Sequence, residues 1–251
     1  MSNPEPGSLE ARLPLHLETV HLSAEPVGLV IVDAVVGFTR RGNLADARHM
    51  VPMVQRIAGI YRDLADRLGD RLRVLCFLDR HHADIPEPPY PPHCVTGTGE
   101  DLLDPDLEFL QADGRVTFVA KDCINGFVGA IDRATGHNAF CQWVIDHGLR
   151  TLLVTGDCTD ICVSDFVLST LSARNHGLLT AVDADADRAA YAAAITGLRV
   201  AVLADACDTF DAPGVHERAA AHHVGLWMMA SRGAVVASDY ALAGDDDLET
   251  T

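Results

Sequence analysis

Cys162 stands in the stretch Thr155-Gly156-Asp157-Cys158-Thr159-Asp160-Ile161-Cys162-Val163, directly behind the apolar run Leu152-Leu153-Val154. An apolar run, a glycine turn and a Thr/Asp pair able to cap a helix put this cysteine in the first helical turn beyond a buried strand. Backbone N–H groups point outward there and the helix dipole favours an anion, so the thiolate is stabilised. Three other strand-like runs end in Asp33, Asp79 and Lys121. A thiol with a pKa of ~8.5 is mostly protonated at neutral pH. Asp33 can accept its proton, and Lys121 can steady the anion. The backbone N–H groups of Cys158 and Cys162 offer an oxyanion hole. Taken singly, each residue has a plainer role: Asp33 a turn cap, Lys121 a solvated strand end, Cys162 an inert core thiol. Their gathering at the same kind of strand end favours chemistry.

A second group is Asp79-Arg80-His81 followed by His93. Residues i and i+2 of an extended chain share a face, so Asp79 and His81 can converge on one ion. The proline-dense loop from Ile85 to Pro92 is stiff and returns His93 to the same place. One carboxylate and two imidazoles suit one divalent metal ion, zinc first, with iron or manganese also compatible. Glu87, inside the loop, can reach that ion directly or through water, whereas His82 points away. Among 12 histidines, an accidental D-x-H is cheap, so this motif alone is weak. Phe38 and Tyr90 flank these groups, and each either covers core or grips a flat ring.

The elements that must position these residues are legible as continuous apolar runs. Gly28–Asp33, Val74–Asp79, Val116–Lys121, Thr151–Gly156, Val200–Asp205 and Ala234–Ser238 read as strands covered on both faces. Leu178–Val182 is a further candidate. Helical spacing fills Ala47–Leu68, Asn138–His147, Asp160–Asn175 and His216–Ser231. Alternation of this kind predicts an α/β fold: a doubly wound, mostly parallel six-stranded sheet with helices on both faces. Ligands then bind beyond the carboxyl ends of the strands. Residues 1–22 read as an N-terminal arm, 23–242 as one domain and 243–251 as an acidic tail.

With 251 residues, 48% hydrophobic, the chain can build a large core. Its 36 acidic residues outweigh 19 basic ones, and the net charge of -17 argues against a nucleic-acid partner. Seven cysteines, an odd number in apolar segments, fit a reducing compartment. No signal peptide or membrane-spanning run is found, so a cytoplasmic location without membrane attachment is expected. The Ala/Asp-rich segment at 183–197 has helical propensity and no assigned role.

Together these residues resemble the nicotinamidase branch of the isochorismatase-like cysteine hydrolases. The carriers are Asp33-Ala34-Val35-Val36-Gly37-Phe38, Asp79-Arg80-His81-His82, Tyr90-Pro91-Pro92-His93-Cys94 with Gly97-Thr98, Lys121-Asp122-Cys123-Ile124-Asn125-Gly126-Phe127 and Thr159-Asp160-Ile161-Cys162-Val163. The PYPPHC and KDCINGF stretches look like plant-type members. The resemblance implies a Cys162/Asp33/Lys121 triad and metal ligands Asp79, His81 and His93, with Glu87 where some members have a fourth ligand. It implies a ring clamp from Phe38 and Tyr90 and a cis peptide before Cys158. The activity implied is metal-dependent hydrolysis of nicotinamide to nicotinate and ammonia through a cysteine thioester, in NAD salvage, with a homo-oligomer as the assembly. The alternatives are a superfamily amidohydrolase for carbamoyl or ureido substrates, a non-haem iron oxygenase using Asp79, His81 and His93, and a silent binding protein. Asp157 stands where many members have an apolar residue, and it is expected to face away from the oxyanion. The 183–197 segment looks like an insertion relative to the plant-type pattern.

Overall fold

The computed structural model describes residues 7–176 and 197–242. Seven strands are present among them: β1 (Glu18–Leu22), β2 (Val27–Val32), β3 (Leu72–Asp79), β4 (Val116–Lys121), β5 (Thr151–Asp157), β6 (Arg199–Asp208) and β7 (Val235–Leu242). They form one sheet in the order β1-β7-β6-β5-β2-β3-β4. Every pairing is parallel. The helices are α1 (Leu9–Arg12), α2 (Val36–Thr39), α3 (Ala47–Leu68), α4 (Gly126–Gly129), α5 (Ala139–Asp146), α6 (Ser164–His176) and α7 (Arg218–Ala230).

The six strands expected from apolar runs all form. The seventh, β1, comes from the expected N-terminal arm. Its sequence alternates, burying only Val20 and Leu22, so it lacks the continuous apolar run that marks the inner strands. It adds to the sheet edge beside β7. The candidate strand at 178–182, the Ala/Asp-rich residues up to 196 and the acidic tail lie outside the described residues.

Central position follows from composition. All six residues of β2 and all seven of β5 are buried. At the β4 edge most residues are at least partly exposed, and only Lys121 is buried. One face of the sheet packs on α3, whose Met50, Val54, Ile57, Ile60, Tyr61 and Leu64 form its inner stripe. The opposite face packs on α5, α6 and α7 through Phe140, Trp143, Phe166, Leu226 and Met229.

The chain runs from β2 outward through β3 to β4, then restarts at β5 on the other side of β2. Winding therefore reverses between β2 and β5, which opens a crevice at their carboxyl ends. Close approach of these strands requires Gly156, whose φ is +116°. A Cβ there would lie 2.0 Å from the Val32 carbonyl oxygen.

Candidate active site

Asp33 follows the last residue of β2 with φ 52°, a left-handed conformation that Asp tolerates better than most residues. Its N–H donates to the Phe77 carbonyl at 3.1 Å, tying the turn to β3. Lys121 ends β4 and is 2% exposed. Its Nζ lies 2.7 Å from Asp33 Oδ2 and 2.8 Å from Asp79 Oδ1, and donates to the Cys123 carbonyl at 2.9 Å. Cys162 Sγ is 3.8 Å from the same Nζ. One buried ammonium thus joins both carboxylates and the thiol. The spacing of the sequence does not show the Lys121–Asp79 contact, which arises because β3 and β4 pair Asp79 directly with Lys121.

The electrostatics follow from this burial. Burial pushes Asp33 up to about 6; Lys121 opposes the rise and Asp79 adds to it. For Asp79, burial is outweighed by the Lys121 charge and by the neighbouring His81 and His93 imidazoles, so its carboxyl is held well below the usual range. Burial would lower Lys121, but Asp33 and Asp79 overcome it and keep the ammonium charged. Cys162 is pushed well above the ordinary thiol value by burial, with Lys121 opposing. The thiol thus keeps the need for a base beside it that the sequence implies, because burial outweighs the neighbouring cation.

Cys162 lies in a single π turn, Thr159–Val163, which leads into α6. The first helical turn beyond the strand, where the sequence places Cys162, is thus a π turn. The turn closes through the Val163 N–H to the Cys158 carbonyl at 3.1 Å. The Asp157–Cys158 peptide is cis, as the resemblance implies. Asp157 is 0% exposed, and neither carboxylate oxygen has a hydrogen-bond partner. Burial, followed by the charges of Asp33 and Asp79, raises its pKa well above the carboxylate range, so it is held neutral.

Asp79, His81 and His93 converge with ligand atoms all within 4.8 Å of one another. Nε2 of His81 and of His93 lie 3.0 and 3.3 Å from Asp79 Oδ2. Glu87 Oε2 is 3.5 Å from His81 Nε2 and 3.7 Å from His93 Nε2, while its Oε1 accepts from the Ile124 N–H at 2.9 Å. His93 Nδ1 sits 2.8 Å from the Pro91 carbonyl, which only accepts, so Nδ1 carries the proton and Nε2 presents its lone pair. Asp79 Oδ2 and His81 Nε2 are buried without hydrogen-bond partners. These features fit a divalent cation: two imidazole nitrogens and one or two carboxylates around one point. The loop returns because His81 pairs with Val95. His82 is exposed, as expected.

A small cavity, about 260 Å³ with the open space at its mouth included, lies above these groups. Phe38, Tyr90, His93, Cys158 and Cys162 line it, with Glu87. The Phe38 and Tyr90 rings lie 5.5 and 6.1 Å from that of His93. The structure therefore brings all the expected site residues to one place. Sequence reasoning missed four wall residues, Leu44, Ile124, Ile161 and Phe210. Phe210 was within reach of the strand-end rule, since it follows the carboxyl end of β6 by two residues.

Buried cysteine, aspartate and lysine side chains thus meet at the switch point of a parallel α/β sheet. The model of the isochorismatase domain matches residues 27–239, and the chain belongs to that family. It is 43% identical over 227 residues to nicotinamidase 1 of Arabidopsis thaliana, covering 84% of this chain and 85% of that protein. A nicotinamidase of Acinetobacter baylyi is 27% identical over 214 residues, covering 79% of this chain and 88% of its own. Among solved structures, an L. infantum protein in complex with nicotinate superposes with a TM-score of 0.61 at 19% identity, covering 91% of this chain and 100% of that one. A pyrazinamidase of Pyrococcus horikoshii in complex with zinc gives 0.59 at 18% identity, covering 84% and 97%.

Proposed function

We propose that this protein is a metal-dependent nicotinamidase that hydrolyses nicotinamide to nicotinate and ammonia through a thioester on Cys162. The observation that carries this reading is one small cavity lined by the Cys162 thiol, the aromatic rings of Phe38 and Tyr90, and His93 of the metal-ligand group. The Arabidopsis relative supports the substrate.

A divalent ion held by Asp79, His81 and His93, with Glu87 beside it, would supply a Lewis acid for a pyridine nitrogen. Zinc suits the donor set, as do iron and manganese. Phe38 and Tyr90 hold the ring, which sets the amide over Cys162. Asp33 takes the thiol proton as Sγ attacks the carbonyl carbon. The oxyanion accepts hydrogen bonds from the Cys158 and Cys162 N–H groups. Lys121 keeps the two carboxylates tolerable in a dry site and faces the developing charge. Asp33 then passes its proton to the departing ammonia. It next removes a proton from water, whose oxygen attacks the thioester; the thiol is regenerated and nicotinate leaves.

The test is release of ammonia and nicotinate from nicotinamide by the metal-loaded protein. Turnover by Cys162→Ala at the wild-type rate would overturn the mechanism.

A further inference from the structure

We propose that His216 is a positioning residue that ties Phe210, a wall of the substrate cavity, to the turn carrying Cys162. The proposal deepens the nicotinamidase reading and rests on it for the substrate.

Phe210 lines the cavity together with Cys158 and Ile161. Its ring stacks on the His216 imidazole, with centroids 4.2 Å apart and planes tilted by 23°. His216 Nδ1 donates to the Phe210 carbonyl at 2.8 Å, and Nε2 lies 2.9 Å from Asp160 Oδ2. Asp160 sits inside the π turn, two residues before the nucleophile. Its other carboxylate oxygen is buried with no hydrogen-bond partner, so the bond to His216 fixes the side chain. One imidazole therefore holds a pocket wall by stacking and hydrogen bonding while its far edge holds the nucleophile turn.

The surroundings make this link stiff. The Asp211 N–H donates to Asp46 Oδ2 at 3.0 Å, and Arg218 makes paired bonds of 2.8 and 2.7 Å to Asp208. Ala212 and His216 exchange backbone bonds of 2.8 Å across a tight turn. Gly225 of α7 presses on the π turn so closely that a Cβ would lie 2.8 Å from Asp160 Cα. Thr159 Oγ1 is 2.9 Å from His222 Nδ1, a second tie to α7. A ring leaning on Phe210 is thereby registered at the position of Cys162.

The experiment compares wild type, His216→Ala, His216→Gln, Phe210→Leu and the double variant Phe210→Leu/His216→Ala. Val215→Ser serves as control, since Val215 lies in the same turn at 90% exposure. Nicotinamide kinetics are measured beside the rate of Cys162 alkylation by iodoacetamide, followed by peptide mass spectrometry. Phe210→Leu is expected to raise KM by about 5-fold with kcat within about 2-fold. His216→Ala is expected to lower kcat/KM by about 30-fold, shared between KM and kcat, and to change alkylation by about 5-fold or more. The double variant should fall within about 3-fold of His216→Ala, because the two residues act as one unit. His216→Gln, which loses the stack and one hydrogen bond, should be intermediate, and it decides the matter should the alanine variant fail to fold. Kinetics and alkylation at wild-type values in both His216 variants, or multiplicative effects in the double variant, would overturn the proposal. If wild type does not turn over nicotinamide, the substrate reading fails, and the alkylation rates alone still judge His216.

Discussion

Asp157→Asn should stabilise the protein by an amount that grows with pH. The Asp157 carboxyl is fully buried, neither oxygen has a hydrogen-bond partner, and burial with Asp33 and Asp79 nearby raises its pKa well above the ordinary value. The unfolded chain ionises this group above ~3.9, while the folded chain keeps the proton until its raised pKa is reached. Below the unfolded value both states are protonated and the residue is neutral to stability. Above it the folded state binds one more proton, so stability falls as pH rises. The slope for one proton is about 1.4 kcal/mol per pH unit. Asparagine, close in shape to the neutral acid, cannot ionise, so the variant gains about 1.4 kcal/mol over wild type for each unit in that window. For a domain of this size, that is a Tm gain of about 3–6 °C per unit. Urea unfolding of both proteins, repeated from pH 5 to pH 7, reads the difference directly. Two parallel stability curves, separated by a constant, would refute the argument and show Asp157 ionised in the native state.

The remaining predictions concern the reaction and its frame. Because Asp33 must be ionised to accept the thiol proton and is raised to about 6, kcat/KM should fall as pH drops below about 6. A pH profile flat to pH 5 would contradict its role as base. Lys121→Met leaves Asp33 and Asp79 buried without their cation, so a loss of about 3–5 kcal/mol in urea unfolding is expected along with activity. His93→Ala should cut bound metal measured by elemental analysis to a small fraction while circular dichroism stays native; full metal retention would remove His93 from the ligand set. Gly156→Ala forces a Cβ to 2.0 Å from the Val32 carbonyl at a left-handed position, and insoluble or strongly destabilised protein is expected on expression.

Much of this was legible in the sequence, for identifiable reasons. Inner strands of a parallel sheet are apolar on both faces, so β2, β3, β5 and β6 announce themselves, and their carboxyl ends name Asp33, Asp79 and the Cys162 turn. The i, i+2 rule brings Asp79 and His81 together without knowledge of any neighbour. β1 escaped because an edge strand buries only alternate residues, and Val20 with Leu22 is too short a pattern to stand out. Phe210, Ile161 and Leu44 escaped because a pocket wall is defined by what it faces across a gap.

The amino-acid order by itself determined which reactive groups this protein owns, that strand ends carry them, and that a cysteine nucleophile has a carboxylate and an amine available. Local forces suffice for that: periodicity, turn chemistry and the apolar runs act over a few residues. Tertiary structure alone decided the protonation of the site. Whether Cys162 rests as thiol or thiolate, and whether Asp157 keeps its proton, depends on how much water the assembled sheet excludes. The same packing sets how near Lys121 lies to each acid. Desolvation and charge proximity are sums over groups far apart in the chain, and only the closed fold performs that sum.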